Sequence, residues 1–403
     1  MKSKLAIKTI LSKLVPSPKV VYCSQTIYEA LLGCIRMYEA TDSAVWKKRA
    51  NHVLNILIKI QRPDGGFDIG YEFNFGRIHK KGDSTSPELV GLLAYSEYAR
   101  VFDARNTIKP YADKASEWIR QFSIKFEDDV WAIPYSPYTI NKVMVYNGTS
   151  FACGALGHYL GVFGVEDENL LEIYSGMVNY LEKSLYASPE FAGRFWYYPV
   201  QSRTDMSKEQ LNKIDYYHQM QQVEMHSYAQ CMISHDAQMK IIEECSDHIV
   251  NLSNKFSVIP YTNNSNFFGG HIHVWGFCSV ASGLIEAAKL LPDKRNVYVK
   301  QATDVIDWIV NNSWNGDFFS PILTKSGEIV GLNEYMVRSD AWVFNALAAY
   351  FKDVSRDEKF ETILEKCYLK MESCDFSGKE SHAGSFRKKL FSKLVGFLRK
   401  VIR

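Results

Sequence analysis

Several quick class markers are missing from this chain of 403 residues. No apolar run is long enough to cross a bilayer. Met1 to Lys13 is basic and apolar, but it has no continuous hydrophobic stretch and no small-residue cleavage site, so no secretory leader is expected. Neither sign of charge dominates. The net charge of +2 gives no nucleic-acid signal and leaves anionic and neutral partners open. The eight cysteines form no Cys-x-x-Cys pair, and their spacing is too wide for a zinc site. Most lie in apolar helical stretches and read as buried free thiols of a reducing compartment. These absences predict a cytoplasmic protein with no metal and no cofactor.

What the chain does have is apolar and aromatic material. Apolar residues make up 46% and aromatics 14%. That supplies an ample core, with aromatics left over for loops. The organising stretch is Gln61-Arg-Pro-Asp-Gly-Gly-Phe-Asp-Ile-Gly-Tyr-Glu72, closed by Gly82-Asp-Ser-Thr-Ser-Pro-Glu88. A helical pattern precedes it and is stopped by Asp64-Gly65-Gly66. A second helix follows, opening on Thr85-Ser86-Pro87-Glu88 as a capping box with proline in the first turn. About twenty polar and aromatic residues lie between.

That layout recurs. Helical periodicity predicts six pairs: 20–40 with 44–61, 86–104 with 108–126, 149–163 with 167–186, 216–234 with 236–253, 275–291 with 293–312, and 339–353 with 356–373. Links within pairs are short, so partners are antiparallel neighbours. Links between pairs run to about 20–30 residues and carry Trp131-Ala-Ile-Pro-Tyr135, Arg194-Phe-Trp-Tyr-Tyr198, Val258-Ile-Pro-Tyr261 and Asn315-Gly-Asp-Phe-Phe319.

Six helical hairpins with alternating short and long links resemble the (α/α)6 toroid. That superfamily includes six-hairpin glycosidases, polysaccharide lyases, sugar 2-epimerases and, more distantly, terpenoid cyclases. The segment Gln61-x-x-Asp-Gly-Gly-Phe67 also looks like the repeat motif of the cyclase branch. The resemblance covers residues 20–373 and implies an all-α fold. The expected organisation is a basic amphipathic segment at 1–18, a toroid at 19–373, a linker at 374–384 and a basic amphipathic tail at 385–403. The tail suits an interfacial helix on an anionic membrane, at the inner face of the cell membrane, or else a segment packed on the domain.

In such a toroid the inner-helix N-termini and the long links collect at one mouth, where helix dipoles favour anionic groups. The residues expected there are Asp68, Tyr71, Glu72, Asp83 and Glu88 from the first link, which also holds Arg77, and Tyr135, Tyr146, Asn147 and Thr149 from the second. The third supplies Arg194, Trp196, Tyr198, Tyr217, His218, Gln222 and His226. The fourth supplies His271, His273 and Trp275, and the fifth Glu334, Arg338, Asp340 and Trp342. Duller roles compete: Asp64 as a turn residue, Asp83 and Glu88 as caps, and Arg338-Ser-Asp340 as a cap with its ion pair. His218, Gln222 and His226, at i, i+4 and i+8, form one polar stripe or a satisfied buried network.

Carboxylates, imidazoles, Tyr hydroxyls and Trp faces in one cleft are the materials of a saccharide site. Hydrolysis of a glycosidic bond is expected to use Asp68, Glu72, Asp83 or Glu88 against Glu334 or Asp340, with His218 also in a catalytic role. The alternatives are a uronate lyase or epimerase acting through Asn147, Tyr217, His218, His271 and Arg338, a non-catalytic glycan-binding toroid, and a terpenoid cyclase. Gly148 follows Asn147, so the Asn-His pair of some toroidal lyases is absent, and no β-sandwich is expected after the toroid. The chain has no Asp-x-Asp-Asp and no Asp-Asp-x-x-Asp cluster, which counts against cyclase chemistry. The expected partners are a saccharide, from a surface polysaccharide or its lipid-linked precursor, and an anionic membrane through 385–403.

Overall fold

The computed structural model describes residues 23–74, 78–139, 142–200, 206–264, 270–330 and 333–377. Both basic tails, residues 1–18 and 385–403, lie outside the described residues, and so does Arg77. Twelve long helices form six hairpins. They are α1 (Ser24–Thr41) with α2 (Ala44–Ile60), α3 (Val90–Val101) with α4 (Arg105–Phe122), and α5 (Tyr146–Phe163) with α6 (Glu168–Lys183). Then come α7 (Tyr216–Met232) with α8 (Asp236–Ser253), α9 (Val274–Leu290) with α10 (Arg295–Ser313), and α11 (Val337–Asp353) with α12 (Glu358–Ser373).

The two helices of a hairpin differ in pattern, and that difference sorts them into layers. In α9 nearly every residue from Val274 to Ala288 is buried, so this helix is covered on all sides. In α4 only one stripe is covered, Ile108, Ala112, Ala115 and Ile119, while Lys109, Lys114 and Glu117 face water. The odd-numbered helices form an inner ring. Each packs on the next in the order α1, α3, α5, α7, α9, α11, and α11 closes back onto α1. The even-numbered helices wrap outside. This is an (α/α)6 toroid.

The inner ring packs tightly around α7. A Cβ added at Gly154 of α5 would lie 2.5 Å from the Met225 carbonyl oxygen, and one at Gly283 of α9 would lie 2.4 Å from that of Met220. Only glycine allows both backbones this close. Below the mouth, Arg36 of α1 joins four inner helices. It donates to Glu224 of α7 at 2.9 Å, to Glu286 of α9 at 3.1 Å, and to the Asn345 side chain of α11 at 2.7 Å. All four side chains are buried, so each charge is taken from water and must be matched in place.

The links are not wholly irregular. Four short antiparallel ribbons stiffen them, and the last joins Ile272–His273 of the fourth link to Ile322–Leu323 of the fifth. The opening of the second hairpin differs from expectation. Ser86–Leu89 is a 3-10 turn, α3 begins at Val90, and no capping box forms. Thr85 makes no side-chain cap bond, because Glu88 turns away to α1. No helix among the described residues is long and apolar enough to cross a membrane. All eight cysteines are free thiols, and Cys231 is exposed.

Candidate active site at the mouth of the toroid

Helix α7 opens on Asp215, which is extended at φ −111° and ψ 96°. Its carboxylate accepts the His218 backbone N–H at 3.0 Å, the usual job of an N-cap aspartate. It also lies 2.8 Å from His218 Nδ1. A carboxylate accepts, so Nδ1 carries the hydrogen and Nε2 is left as the basic nitrogen. Lys213 Nζ is 3.6 Å from the same carboxylate. Burial works to raise the Asp215 carboxyl, but His218 and Lys213 outweigh it and hold it below the usual range. The Asp215 side chain is 2% exposed and that of His218 17%, so the imidazole is the partner that meets solvent.

Two positions back around the ring, the turn before α3 supplies Glu88. It accepts the Ser24 hydroxyl hydrogen and, at 2.8 Å, the Gln25 amide. Burial pushes its carboxyl up to about 7, although Ser24, Gln25 and Arg338 pull the other way. A carboxyl that titrates near neutrality in a buried site is suited to proton transfer. Arg338, in the first turn of α11, donates to Gln25 and to the Tyr71 hydroxyl, each at 3.4 Å. Its guanidinium also lies over the Tyr71 and Trp275 rings, 5.7 and 5.6 Å from their centroids. Burial raises the Tyr71 phenol to about 12, so Tyr71 is a neutral donor.

Aromatic rings complete the circuit. Trp275 lies 5.8 Å from the His218 ring and 6.3 Å from Trp342. Tyr198 lies 5.6 Å from the His218 ring. Tyr261 touches His218, Trp275 and His273. Burial, with help from His271, lowers His273 to about 4, so it is a neutral imidazole near pH 7. Tyr135 faces Glu88 and Tyr198 electrostatically. Beneath the mouth, a cavity of about 10 Å3 lined by Glu29, Phe151, Gln221 and Trp342 holds no more than about one water.

Of the residues expected at the mouth, the structure gathers Tyr71, Tyr135, Tyr198, His218, His273, Trp275, Arg338 and Trp342 with Glu88. Others have different work. Asp340 points toward the outer layer, accepting the Phe319 N–H at 3.2 Å and lying 3.8 Å from Cys367 Sγ of α12. Its acidic neighbour is Asp317 of the fifth link, not an acid of the first. Glu334 and Glu72 are exposed. Asp68 shapes the first link by accepting the Gly70 and Gly82 N–H groups at 2.8 and 2.9 Å. Asp83 is half-buried beside His79.

Arg194 pairs with Glu182 and Glu244 of outer helices α6 and α8. Trp196 is buried, donating to the Leu181 carbonyl at 2.9 Å. The Tyr217 hydroxyl donates to the Ile259 carbonyl at 3.0 Å. Tyr146 packs on Tyr180 of α6. Asn147 is buried, with no hydrogen-bond partner for its amide among the described residues. His271 is half-buried beside His273.

The stripe His218, Gln222, His226 also comes apart. Gln222 accepts Ser150 of α5 at 2.7 Å, and His226 meets Gln238 of α8 at 3.0 Å. Eight residues turn a helix about 80° past two full turns, enough to carry His226 off the mouth-facing side. Burial lowers His226 to about 3, so it is a neutral structural group.

Two contributions come from residues outside the set expected from the sequence. Asp215 was open to reading, since an Asp three residues before a His at a helix start carries the signal. Ser24 and Gln25 were not, because α1 has no preceding hairpin to mark a link. Among the described residues no group of three His, Cys, Asp or Glu is arranged to hold a metal ion.

No protein-family model matches the sequence, and no curated protein sequence does. Solved structures do match in shape. A cellobiose 2-epimerase from Spirochaeta thermophila superposes with a TM-score of 0.60 at 11% identity, over 87% of this chain and 88% of that one. The chain has the fold of the six-hairpin glycosidase-like toroids. A family 76 glycoside hydrolase from a bovine Bacteroides thetaiotaomicron strain gives 0.58 at 12% identity, over 82% and 69%. An unsaturated glucuronyl hydrolase specific for heparin gives 0.55 at 12%, over 81% and 85%. Identities this low establish the toroid and leave its chemistry to the side chains at the mouth.

Proposed function

We propose that the mouth is the active site of a saccharide-processing enzyme that moves a proton at a carbon beside a sugar carbonyl, in an epimerisation or isomerisation. The observation that carries this reading is the Asp215–His218 pair. It is a base with a fixed tautomer, set among aromatic rings that suit a pyranose face. The hydrogen on C2 is acidic only beside a C1 carbonyl, so the sugar reacts in its open-chain form. His218 Nε2 takes that proton, and the electron pair moves onto the carbonyl oxygen to give an enediolate. Arg338 and the neutral Tyr71 hydroxyl are the donors suited to that oxygen's charge. Return of a proton to the opposite face of C2 gives the epimer, and Glu88, whose carboxyl burial raises to about 7, is the acid suited to supply it. Return to C1 gives the ketose.

A second reading, hydrolysis of a glycosidic bond, is favoured by Glu88 alone, whose raised carboxyl suits a general acid. Incubation with cellobiose, mannobiose and mannose in D2O separates the two. Proton transfer puts deuterium at C2, seen as loss of that proton's NMR signal, whereas hydrolysis generates new reducing ends without it. Unlabelled, uncleaved sugars would overturn both readings and leave a glycan-binding toroid.

The basic amphipathic tail at 385–403 supports work on a surface polysaccharide or its lipid-linked precursor at the cytoplasmic face of a membrane. Deleting 385–403 is expected to move the protein from the membrane to the soluble fraction. Unchanged fractionation would overturn that placement.

A further inference from the structure

A second cavity is off the axis. It has a volume of about 520 Å3 and lies between the third and fourth links, against the C-terminal half of α8. That size is within the range of small-molecule sites. Its wall is aromatic, with Phe195 and Tyr197 from the third link, Tyr216 at the start of α7, and Phe256 and Tyr261 from the fourth.

His248 of α8 lines it as well. The residue is 2% exposed, and neither ring nitrogen has a hydrogen-bond partner among the described residues. Leaving two buried polar atoms unmatched is costly, and native interiors seldom do so without a reason. Three rings hold the imidazole in place: Phe195 at 5.2 Å, with Phe191 and Tyr216 at 6.1 Å. Burial lowers its pKa to about 4, so near pH 7 it is neutral and offers one donor and one acceptor.

The chemistry this selects is a hydroxyl group, which both gives and takes a hydrogen bond, carried on a ring with an apolar face. The rim adds little net charge. Lys255 is paired with Glu190 at 2.8 Å, and Lys325 sits over the Phe256 ring. Among the described residues a phosphate or sulfate would find no cluster of unpaired cations there. Tyr261 is shared: it lines this cavity and also touches His218, His273 and Trp275 at the mouth. Tyr261 therefore borders both spaces.

We propose that this cavity is a second saccharide site, taking a neutral pyranose unit of a chain whose reacting end occupies the mouth. The ligand class rests on the saccharide reading of the mouth, while the site itself rests on the cavity's own side chains. The test is calorimetric titration of the full chain with cellobiose, cellotetraose and the matching manno-oligosaccharides. Tyr197→Ala and His248→Leu are compared with wild type, and melting curves confirm folding. Tyr197 is half-buried, so its variant keeps the test valid if His248→Leu fails to fold.

The tetrasaccharide of one series is expected to bind more tightly than its disaccharide. Each variant is expected to weaken the tetrasaccharide at least about fivefold, the loss of one stacking contact, with the disaccharide unchanged. Equal weakening of both lengths, no weakening, or no binding of any sugar would overturn the proposal. Failure of the proton-transfer reading would look different: tetrasaccharide binding intact and sensitive to Tyr197, with no deuterium incorporated into any sugar.

Discussion

The Asp215 carboxylate caps helix α7 through the His218 backbone N–H and, 2.8 Å away, orients the same residue's imidazole through Nδ1. One side chain thus fixes where the helix begins and which ring nitrogen faces the mouth. Neither role requires the other, so substitution can separate them.

Asp215→Asn keeps a good N-cap. Its melting temperature is expected to stay close to wild type, while the rate of deuterium entry at C2 falls by about 10²–10⁴-fold. A lower melting temperature with an unchanged rate would assign Asp215 to capping alone.

Glu88 gives a stability signature. Burial raises its carboxyl from 4.5 to about 7 in the folded chain. Below about 4.5 it is protonated in both folded and unfolded chains, and ionisation costs nothing. As pH climbs to 7 the unfolded chain ionises freely and the folded chain does not, so stability falls across that window. Glu88→Gln removes this slope. The stability of wild type relative to the variant is expected to drop by on the order of 3 kcal/mol from pH 4.5 to 7, measured by urea unfolding. A difference that does not change with pH would mean Glu88 is ionised throughout.

Asp340 offers a control. It is fully buried, and burial raises its carboxyl despite the Phe319 N–H and Cys367 contacts. Asn in its place keeps an acceptor for that N–H. Asp340→Asn is therefore expected to leave turnover within about twofold and to change stability by less than about 1 kcal/mol. Loss of turnover in a well-folded variant would return Asp340 to the chemistry.

Arg36 and Arg194 each face two glutamates, but in different surroundings. Arg36→Ala leaves Glu224 and Glu286 buried without their shared cation, at an expected cost of about 3–5 kcal/mol. Arg194 lies near the surface, where its glutamates regain water, and Arg194→Ala is expected to cost no more than about 1 kcal/mol. Chemical denaturation of the two variants side by side checks the contrast.

The hairpins were legible because each helix writes its own periodicity, and the boundaries between pairs were marked by glycine, proline and aromatic clusters. The spacing of His218, Gln222 and His226 left a polar stripe and a buried network both open for the same local reason: counting by fours ignores the drift of a 3.6-residue turn. Asp340 misled. A carboxylate in a first turn has no mark that says whether it faces the axis or the outer helix.

The sequence by itself determined six amphipathic hairpins, their order and the material of a saccharide mouth, because those follow from spacing along the chain. Only the tertiary structure decided the site. Ring closure brings α1 beside α3 and α11, so that Ser24 and Gln25 reach Glu88 while Arg338 reaches Gln25 from the far end of the chain. Contacts across some 60 to 300 residues depend on how helices rotate as they pack, and no local pattern encodes that rotation.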